Sequence, residues 1–414
     1  LIGHSNEIVI SGAYEVSLGQ NGLYIVLLDS NGNFKENSLI ANSNYSSEFV
    51  NSFKLDSGYL FTGMKNTLNS SFKQYLYTYQ TTEDLDTVDS TLIFFSDSLR
   101  IARLSTLKSD SLLIWYGFAH VINSGITYPL IVKSDQNGNI LYQHIGDYQG
   151  FSWSYNLSLL RDFEADGYFL FDYQNPNGHH AIHLKEDLTI DSTGHILLAD
   201  SVMINNIQGL IYQVNDAVML LGNKIAYVGR GPSKPEDYYV AITDSHSVTE
   251  SVKRFKGEDN YYLFGLNALT VNYKNDLFIA FADSIDKFTY RFNTFTNKIT
   301  VAKLDTALNT VWEKRLGWDA YYFQQDIVAT DDGGCLVMGS VYDKDTMSFQ
   351  HDIVLFKLDA NGNVTGTHRI ENAAGQSLRT YPNPGEDYFN MDIPFAEGEI
   401  QVFDQNGKLL FSRT

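Results

Sequence analysis

The sequence predicts an all-β fold made of repeated four-stranded antiparallel units. Three observations support this prediction. One run recurs along the chain, as YIVLLDSNGN (24–33), LIVKSDQNGN (130–139) and IVLFKLDANGN (353–363). Short runs rich in β-branched and aromatic residues alternate with Asp-Gly and Asn-Gly turns, which supply the positive φ of tight hairpins. Helical periodicity is nearly absent.

The repeat has seven copies. Equivalent positions in successive copies are on average 55 residues apart. These positions are Asp29, Gln80, Asp135, Asp187, Asp244, Asp305 and Asp359. Each copy contains four short strands, and four-stranded units at such a period are typical of β-propeller blades. We therefore expect a seven-bladed β-propeller over 1–371. The predicted blades are approximately 1–43, 44–97, 98–148, 149–200, 201–258, 259–318 and 319–371.

The repeat also resembles a bacterial β-propeller repeat family, in which an Asp-Gly-Gly turn precedes one strand and a Lys-x-Asp-x-x-Gly-Asn run follows the next. The last predicted blade matches best, through Asp332-Gly333-Gly334 and the run 357–363. The preceding blade contributes Lys303 and Trp312. This resemblance implies an architecture more than an activity.

The composition excludes several classes of protein. The chain has 414 residues, with 29 Lys and Arg against 49 Asp and Glu, so its formal charge is −20. Nucleic acids and anionic membranes are bound by clustered cations, so neither is an expected partner. No apolar run is long enough for a transmembrane helix. The single cysteine, Cys335, lies in an apolar strand and is expected to be core.

A different segment follows the repeats, after a linker predicted at 372–380. It contains the run Tyr381, Pro382, Asn383 and Pro384, and a later hairpin, FDQNGK, at 403–408. Both elements resemble the C-terminal sorting domain of proteins exported by the type IX secretion system of Bacteroidota. The resemblance implies a small β-sandwich, the secretion machinery as a partner, and a secreted or outer-membrane-attached protein. Only 34 residues run from Tyr381 to the end, so 381–414 is expected to be a partial sorting domain.

Metal and cofactor sites are not expected. The Asp-x-x-Gly-Asn turns are rich in oxygen, but Gly stands fourth where a calcium-binding EF-hand loop has it sixth, and hairpin geometry explains them. His179, His180 and His183 form the one histidine cluster, but on a strand His179 and His183 would be about 13 Å apart, too far to share one zinc ion. The acidic run 83–89 is expected to be a solvated loop.

Aromatic residues before the first strand of several blades are the candidate ligand-binding residues. They are Trp153, Tyr155, Tyr261, Tyr262, Trp318, Tyr321 and Tyr322. Exposed rings at such junctions could stack on sugars or grip a peptide. The alternative interpretation is that they pack between adjacent blades.

No catalytic residue can be assigned, because the sequence has neither a nucleophile elbow nor a phosphate-binding glycine loop. The leading hypothesis is an exported, non-catalytic binding or adhesion protein that presents a propeller face to a glycan or a protein. An extracellular glycoside hydrolase or lyase, with carboxylates in the central funnel, is the first alternative. A structural subunit of a surface assembly is the second.

Overall fold

The computed structural model of the chain is all-β, and its blades are antiparallel sheets of a seven-bladed β-propeller. This confirms the predicted fold class. The described residues contain no helix of the length and hydropathy needed to span a membrane. The structure describes residues 7–17, 20–30, 32–40, 45–68, 73–96, 99–121, 127–145, 157–162, 167–174, 178–198, 202–204, 207–209, 213–222, 224–230, 238–244, 249–255, 261–263, 267–285, 297–317, 320–342, 351–370, 379–381, 390–392, 400–403 and 409–413.

The chain divides into two compact units, and the first, residues 1–197, carries blades 1 to 4. Within the described residues blade 1 has three strands, β1 (Ile8–Ser17), β2 (Gln20–Leu28) and β3 (Phe34–Ile40). Blade 2 consists of β4 (Tyr45–Leu55), β5 (Gly58–Thr67), β6 (Gln74–Thr81) and β7 (Thr87–Ser96). Blade 3 consists of β8 (Leu99–Ser109), β9 (Leu112–Val121), β10 (Thr127–Asp135) and β11 (Ile140–Ile145). Blade 4 consists of β12 (Leu157–Asp162), β13 (Gly167–Gln174), β14 (Gly178–Lys185) and β15 (Ile190–Leu198).

The second unit, residues 198–414, carries blades 5 to 7. A small hairpin, β16 (Val202–Ile204) and β17 (Ile207–Gly209), precedes blade 5, which consists of β18 (Gln213–Leu220), β19 (Lys224–Arg230), β20 (Tyr238–Thr243) and β21 (Thr249–Phe255). Blade 6 has five strands, β22 (Tyr261–Leu263), β23 (Leu269–Val271), β24 (Leu277–Ile285), β25 (Lys298–Leu304) and β26 (Thr310–Leu316). Blade 7 consists of β27 (Tyr321–Ala329), β28 (Cys335–Tyr342), β29 (His351–Leu358) and β30 (Val364–Ile370).

Two further hairpins follow blade 7. The first pairs β31 (Arg379–Tyr381) with β32 (Asn390–Asp392), and the second pairs β33 (Ile400–Phe403) with β34 (Leu409–Arg413). The strands that flank the predicted 403–408 turn are therefore paired. Pro382, Asn383 and Pro384 lie outside the described residues.

The turn before the last described strand of a blade has one recurring geometry. In blade 7 the Asp359 carboxylate accepts the Asn363 backbone N–H (2.8 Å) and side-chain N–H (3.0 Å), while the Asp359 N–H donates to Asn363 O at 2.9 Å. Gly362 takes φ +78°. Equivalent bonds close the turns at 29–33, 135–139 and 305–309. The carboxylate oxygens thus cap the turn, as the hairpin interpretation predicts.

A β-bulge in the first strand explains a glycine in the second strand. In blade 2 the bulge lies between Phe49 and Asn51, and a Cβ on the facing Gly63 would stand 2.3 Å from Glu48 O. In blade 7 the bulge lies between Gln324 and Asp326, and Gly339 faces it. Because the bulge pushes the first strand toward its neighbour, a side chain there would clash.

The core lies between neighbouring blades. Within the first unit, one cluster joins Leu60 and Leu76 of blade 2 to Trp115 of blade 3, whose Nε1–H donates to Ser134 Oγ at 3.2 Å. Within the second unit, Cys335 packs between blades 6 and 7 and is fully buried. Burial raises the pKa of this thiol to about 12, which agrees with its predicted place in the core.

Candidate functional site

Two of the candidate ligand-binding tyrosines are buried between blades 6 and 7. Tyr321 is 8% exposed and Tyr322 is 7% exposed. The ring of Tyr322 packs with Phe356, and its backbone is clamped by Asn297, whose Nδ2–H donates to Tyr322 O at 2.7 Å. The Tyr321 ring meets Phe323 edge-on at 4.7 Å. Contact between these two rings and a ligand would therefore require that they move out of the blade interface.

The structure leaves the remaining candidate residues without a described side chain. Tyr261 and Tyr262 lie in β22, where Tyr261 pairs with Ile285 of β24. Trp153, Tyr155 and Trp318 lie outside the described residues. A role in ligand binding for these five residues stays a prediction.

A different aromatic cluster lies in blade 2, where β4 and β6 begin and β5 ends. We call Tyr45, Lys65, Tyr75 and Tyr77 the Lys65 cluster. The rings of Tyr45 and Tyr75 meet at 87° with centroids 5.7 Å apart. Lys65 is directly opposite Tyr75 in the register of β5 and β6, and its Nζ lies 4.9 Å from the centroid of the Tyr77 ring. Tyr45, Lys65 and Tyr75 are each partly exposed, whereas Tyr77 is buried.

The position of Tyr77 requires a glycine at residue 63 on the neighbouring strand. Tyr77 faces Gly63 across β5 and β6, and a Cβ on Gly63 would lie 2.5 Å from the Tyr77 ring. The ring therefore lies against the β5 backbone, and the Lys65 side chain extends over its face. A cation over an aromatic face is attracted by the ring quadrupole. Burial raises the pKa of the Tyr77 hydroxyl, so this phenol stays protonated and neutral.

Lys65 has an aromatic ring beside its ammonium and forms no ion pair with a carboxylate among the described residues. Five other lysines form ion pairs, namely Lys35–Glu7, Lys133–Glu186, Lys224–Glu250, Lys303–Asp276 and Lys357–Asp332. Among the described residues, the Lys65 ammonium lies beside the Tyr77 ring. Burial lowers the pKa of Lys65, because removing an ammonium from water disfavours its charged form.

Two features of the sequence indicate this cluster, although its residues are not among the candidate ligand-binding residues predicted above. Tyr45 opens the first strand of blade 2 just as Tyr321 opens the first strand of blade 7. The strand β6 also reads Tyr75, Tyr77 and Tyr79 at alternate positions, which places three rings on one face of the sheet. What the sequence could not show is that Lys65 stands beside them.

A second candidate lies in the second unit, where carboxylates follow first-strand bulges in blades 5 and 7. Asp216 Oδ1 accepts the Ala217 N–H at 2.8 Å, and Asp216 Oδ2 accepts the Leu269 N–H of blade 6 at 2.9 Å. Burial raises the pKa of Asp216 to about 7, and the charge of Asp326 raises it further, against the lowering effect of the N–H donors. The charge of Asp326 therefore acts on the ionisation of Asp216.

Asp326 occupies the corresponding position in blade 7. Burial raises its pKa, while hydrogen bonds from the Ile327 N–H and the Asn267 side chain lower it. Gln324, one residue before the bulge, donates its Nε2–H to Asn267 O at 2.7 Å. The first strand of blade 7 is thus joined to blade 6 by polar contacts at Asn267, just before β23.

Blade 2 shows what this position does when it carries no charge. Asn51 follows the bulge of β4, accepts the Ser52 N–H at 2.9 Å and donates to Thr106 O of blade 3 at 3.0 Å. Asp216 makes the same two kinds of contact, one with the next residue and one with the first strand of the next blade. The common role of this position is therefore to join neighbouring blades.

The acidic run and the histidine cluster lie in a turn and in a strand. The turn in the acidic run 83–89 is closed by the Asp86 N–H donating to Thr82 Oγ1 at 3.1 Å. His183 lies in β14 with its ring 5.1 Å from that of Phe169, and the backbone of His179 pairs with Tyr173. In the described part of the chain, no group of three or more His, Cys, Asp or Glu residues has the geometry of a metal site.

Comparison with known proteins supports the fold. No protein-family model matches the sequence, and no curated protein sequence matches it. Among solved structures, a puromycin hydrolase mutant superposes with a TM-score of 0.51 at 10% identity, over 92% of this chain and 56% of that one. A protein of unknown function from Bacteroides caccae gives a TM-score of 0.41 at 9% identity, over 75% and 93%. At 10% identity the likeness to the puromycin hydrolase concerns the fold alone.

Proposed function

We propose that this protein is an exported, non-catalytic binding protein that presents a propeller face to a glycan or a protein ligand. The observation that carries the proposal is the Lys65 cluster. Tyr45 and Tyr75 combine a large apolar ring with a polar hydroxyl and have few rotatable bonds, so they form contacts at a low entropic cost. Two such rings, fixed at a right angle beside a cation, form a preorganised contact surface.

Export is the part of the proposal that rests on the sequence alone. The Tyr381–Pro384 run and the 403–408 hairpin resemble the type IX sorting domain, which would place the protein outside the cell or on the outer membrane. Ligands available there include surface glycans and surface proteins. The proposed partners are therefore the secretion machinery, through 381–414, and one of these ligand classes, through the blades.

An array of glycans and surface proteins, combined with a turnover screen on the same sugars, tests the proposal. The expected result is binding without product release, and weaker binding when Tyr45 is replaced by Ala. The Tyr273→Ala variant is a matched control, because Tyr273 is an exposed tyrosine in a blade 6 turn and is not part of the cluster. Product release from any sugar, or no binding to any array member, would overturn the proposal.

A carbohydrate-active enzyme is the second candidate, and the raised pKa values of Asp216 and Asp326 favour it. Carboxyl groups with raised pKa values are common where a general acid is needed. Against this role, both oxygens of Asp216 accept backbone N–H bonds, and Asn51 makes equivalent contacts in blade 2. If the enzyme hypothesis holds, Asp216→Asn and Asp326→Asn abolish turnover while the fold is kept.

A further inference from the structure

The strongest unexplained feature outside the blade cores is the ammonium of Lys65. It is partly withdrawn from water, yet it has no carboxylate partner among the described residues. A partly buried charge is costly unless an opposite charge or hydrogen bonds compensate it. The attraction of the Tyr77 ring compensates only part of this cost, since cation–π contacts are modest in energy.

Lys303 of blade 6 also combines a lysine with an aromatic ring, and there an anion is present. Lys303 is buried, more deeply than Lys65, and its ammonium lies 2.9 Å from Asp276 while also standing 5.3 Å from the ring of Phe278. The two sites therefore share a ring and a lysine, but one of them lacks the anion. An incoming anionic group could occupy in blade 2 the place that Asp276 occupies in blade 6.

The rings beside Lys65 restrict what kind of molecule would carry that anion. Tyr45 and Tyr75 present apolar ring surfaces next to their hydroxyls, which suit the C–H face and the hydroxyls of a pyranose. A phosphate group is usually held by several converging donors or by backbone N–H groups. One lysine is better matched to a single carboxylate.

We infer that the Lys65 cluster binds an acidic saccharide, with a uronate carboxylate on the Lys65 ammonium and the sugar ring against Tyr45 and Tyr75. This inference rests on the proposed binding function and names its ligand class. Bound in this way, the carboxylate pairs directly with an ammonium that forms no ion pair among the described residues, and the rings add contacts that do not depend on charge. Affinity is expected to fall with added salt, because an exposed portion of the ion pair is screened.

Calorimetric titration of the full chain with hexagalacturonate and with its fully methyl-esterified form tests the inference. The ester keeps the pyranose rings and removes the charge. The acid is expected to bind at least about tenfold more tightly than the ester, which corresponds to about 1.4 kcal/mol. Lys65→Met should remove this preference, whereas Lys65→Arg should keep most of it. Tyr45→Ala should weaken binding of both forms.

Lys274→Met is the matched control, because Lys274 also lies over a tyrosine ring, at 5.4 Å from the Tyr273 centroid, but in a turn of blade 6. It is expected to leave both affinities unchanged. Thermal unfolding of each variant shows whether the fold is retained.

The outcomes separate the inference from the function it rests on. Equal affinity for acid and ester, with both weakened by Tyr45→Ala, would overturn the anionic ligand class and leave the binding function standing. A preference for the acid that survives Lys65→Met would place the anion elsewhere and overturn the assignment to Lys65. If neither oligosaccharide binds, the acidic-saccharide inference fails, and the wider array decides the binding function separately.

Discussion

The indole Nε1–H of Trp312, in the outer strand of blade 6, donates to Ala360 O in a turn of blade 7 at 2.9 Å. The same ring lies against Gly362, where a Cβ would be 2.7 Å from Trp312 Cδ2. Thr91 of blade 2 lies closer still to Gly138 in the corresponding turn of blade 3, at 2.2 Å from a Cβ there. In both units, therefore, the outer strand of one blade packs on the turn glycine of the next. The Asn-Gly of the repeat thus shapes a hairpin and also joins two blades.

Replacing Trp312 by Ala is expected to destabilise the fold by about 2 kcal/mol, less than the 3–5 kcal/mol of a fully buried tryptophan because this ring is partly exposed. Trp312→Phe keeps most of the ring and loses the hydrogen bond, so its cost should be about 1 kcal/mol. Urea unfolding monitored by circular dichroism measures both. Equal stability of the wild type and Trp312→Ala would show that the contact contributes nothing.

Gly362→Ala and Gly222→Ala form a matched pair. Both glycines have φ near +78°, but a Cβ on Gly222 would meet nothing within 4 Å. Gly222→Ala should therefore cost about 1 kcal/mol, from the left-handed backbone alone. Gly362→Ala adds a collision with the Trp312 ring and should cost at least about 1 kcal/mol more. If the two variants lose the same stability in urea, the close approach of Trp312 has no energetic consequence.

Asp216 should make the fold less stable as pH rises from about 4 to about 7. Its ordinary pKa is 3.8 and burial raises the folded value to about 7, so the folded state holds its proton more tightly than the unfolded state. The group's contribution is full below pH 3.8 and falls as pH rises toward 7, by at most about 4 kcal/mol at 1.36 kcal/mol per pKa unit. Asp216→Asn does not titrate.

Unfolding free energies of the wild type and Asp216→Asn across pH 4 to 8 check this prediction. The difference between them should move in favour of the variant as pH rises. A constant difference would mean that Asp216 ionises normally in the folded protein.

The turn aspartates should act in the opposite direction, at lower pH. The Asn309 side chain and backbone N–H lower the pKa of Asp305 below its ordinary 3.8. The stabilisation is therefore present above pH 3.8 and is lost as pH falls through the lower folded value. Thermal unfolding midpoints of the wild type and Asp305→Asn, measured from pH 2 to pH 6, should converge at the acid end. Parallel curves would contradict this assignment.

The sequence predicted the repeating parts of the fold and missed what depends on contacts between blades. Positive φ at Gly32, Gly138 and Gly362 was predictable, because turn chemistry is local. Packing between blades was one of the two interpretations of Tyr322, but the contact that fixes it, with Asn297, 25 residues away, was not predictable. The same applies to the enclosure of Asp216 by Leu269, 53 residues along the chain. The Lys65 cluster needed strand register as well as composition, because it consists of residues from three strands.

A crystal structure of the full chain with a saccharide selected on the array tests the central claim most directly. We expect an intact saccharide in contact with Tyr45 and Tyr75, with an acidic group on the Lys65 ammonium. A saccharide bound away from the Lys65 cluster, or one found cleaved beside Asp216 and Asp326, would contradict it.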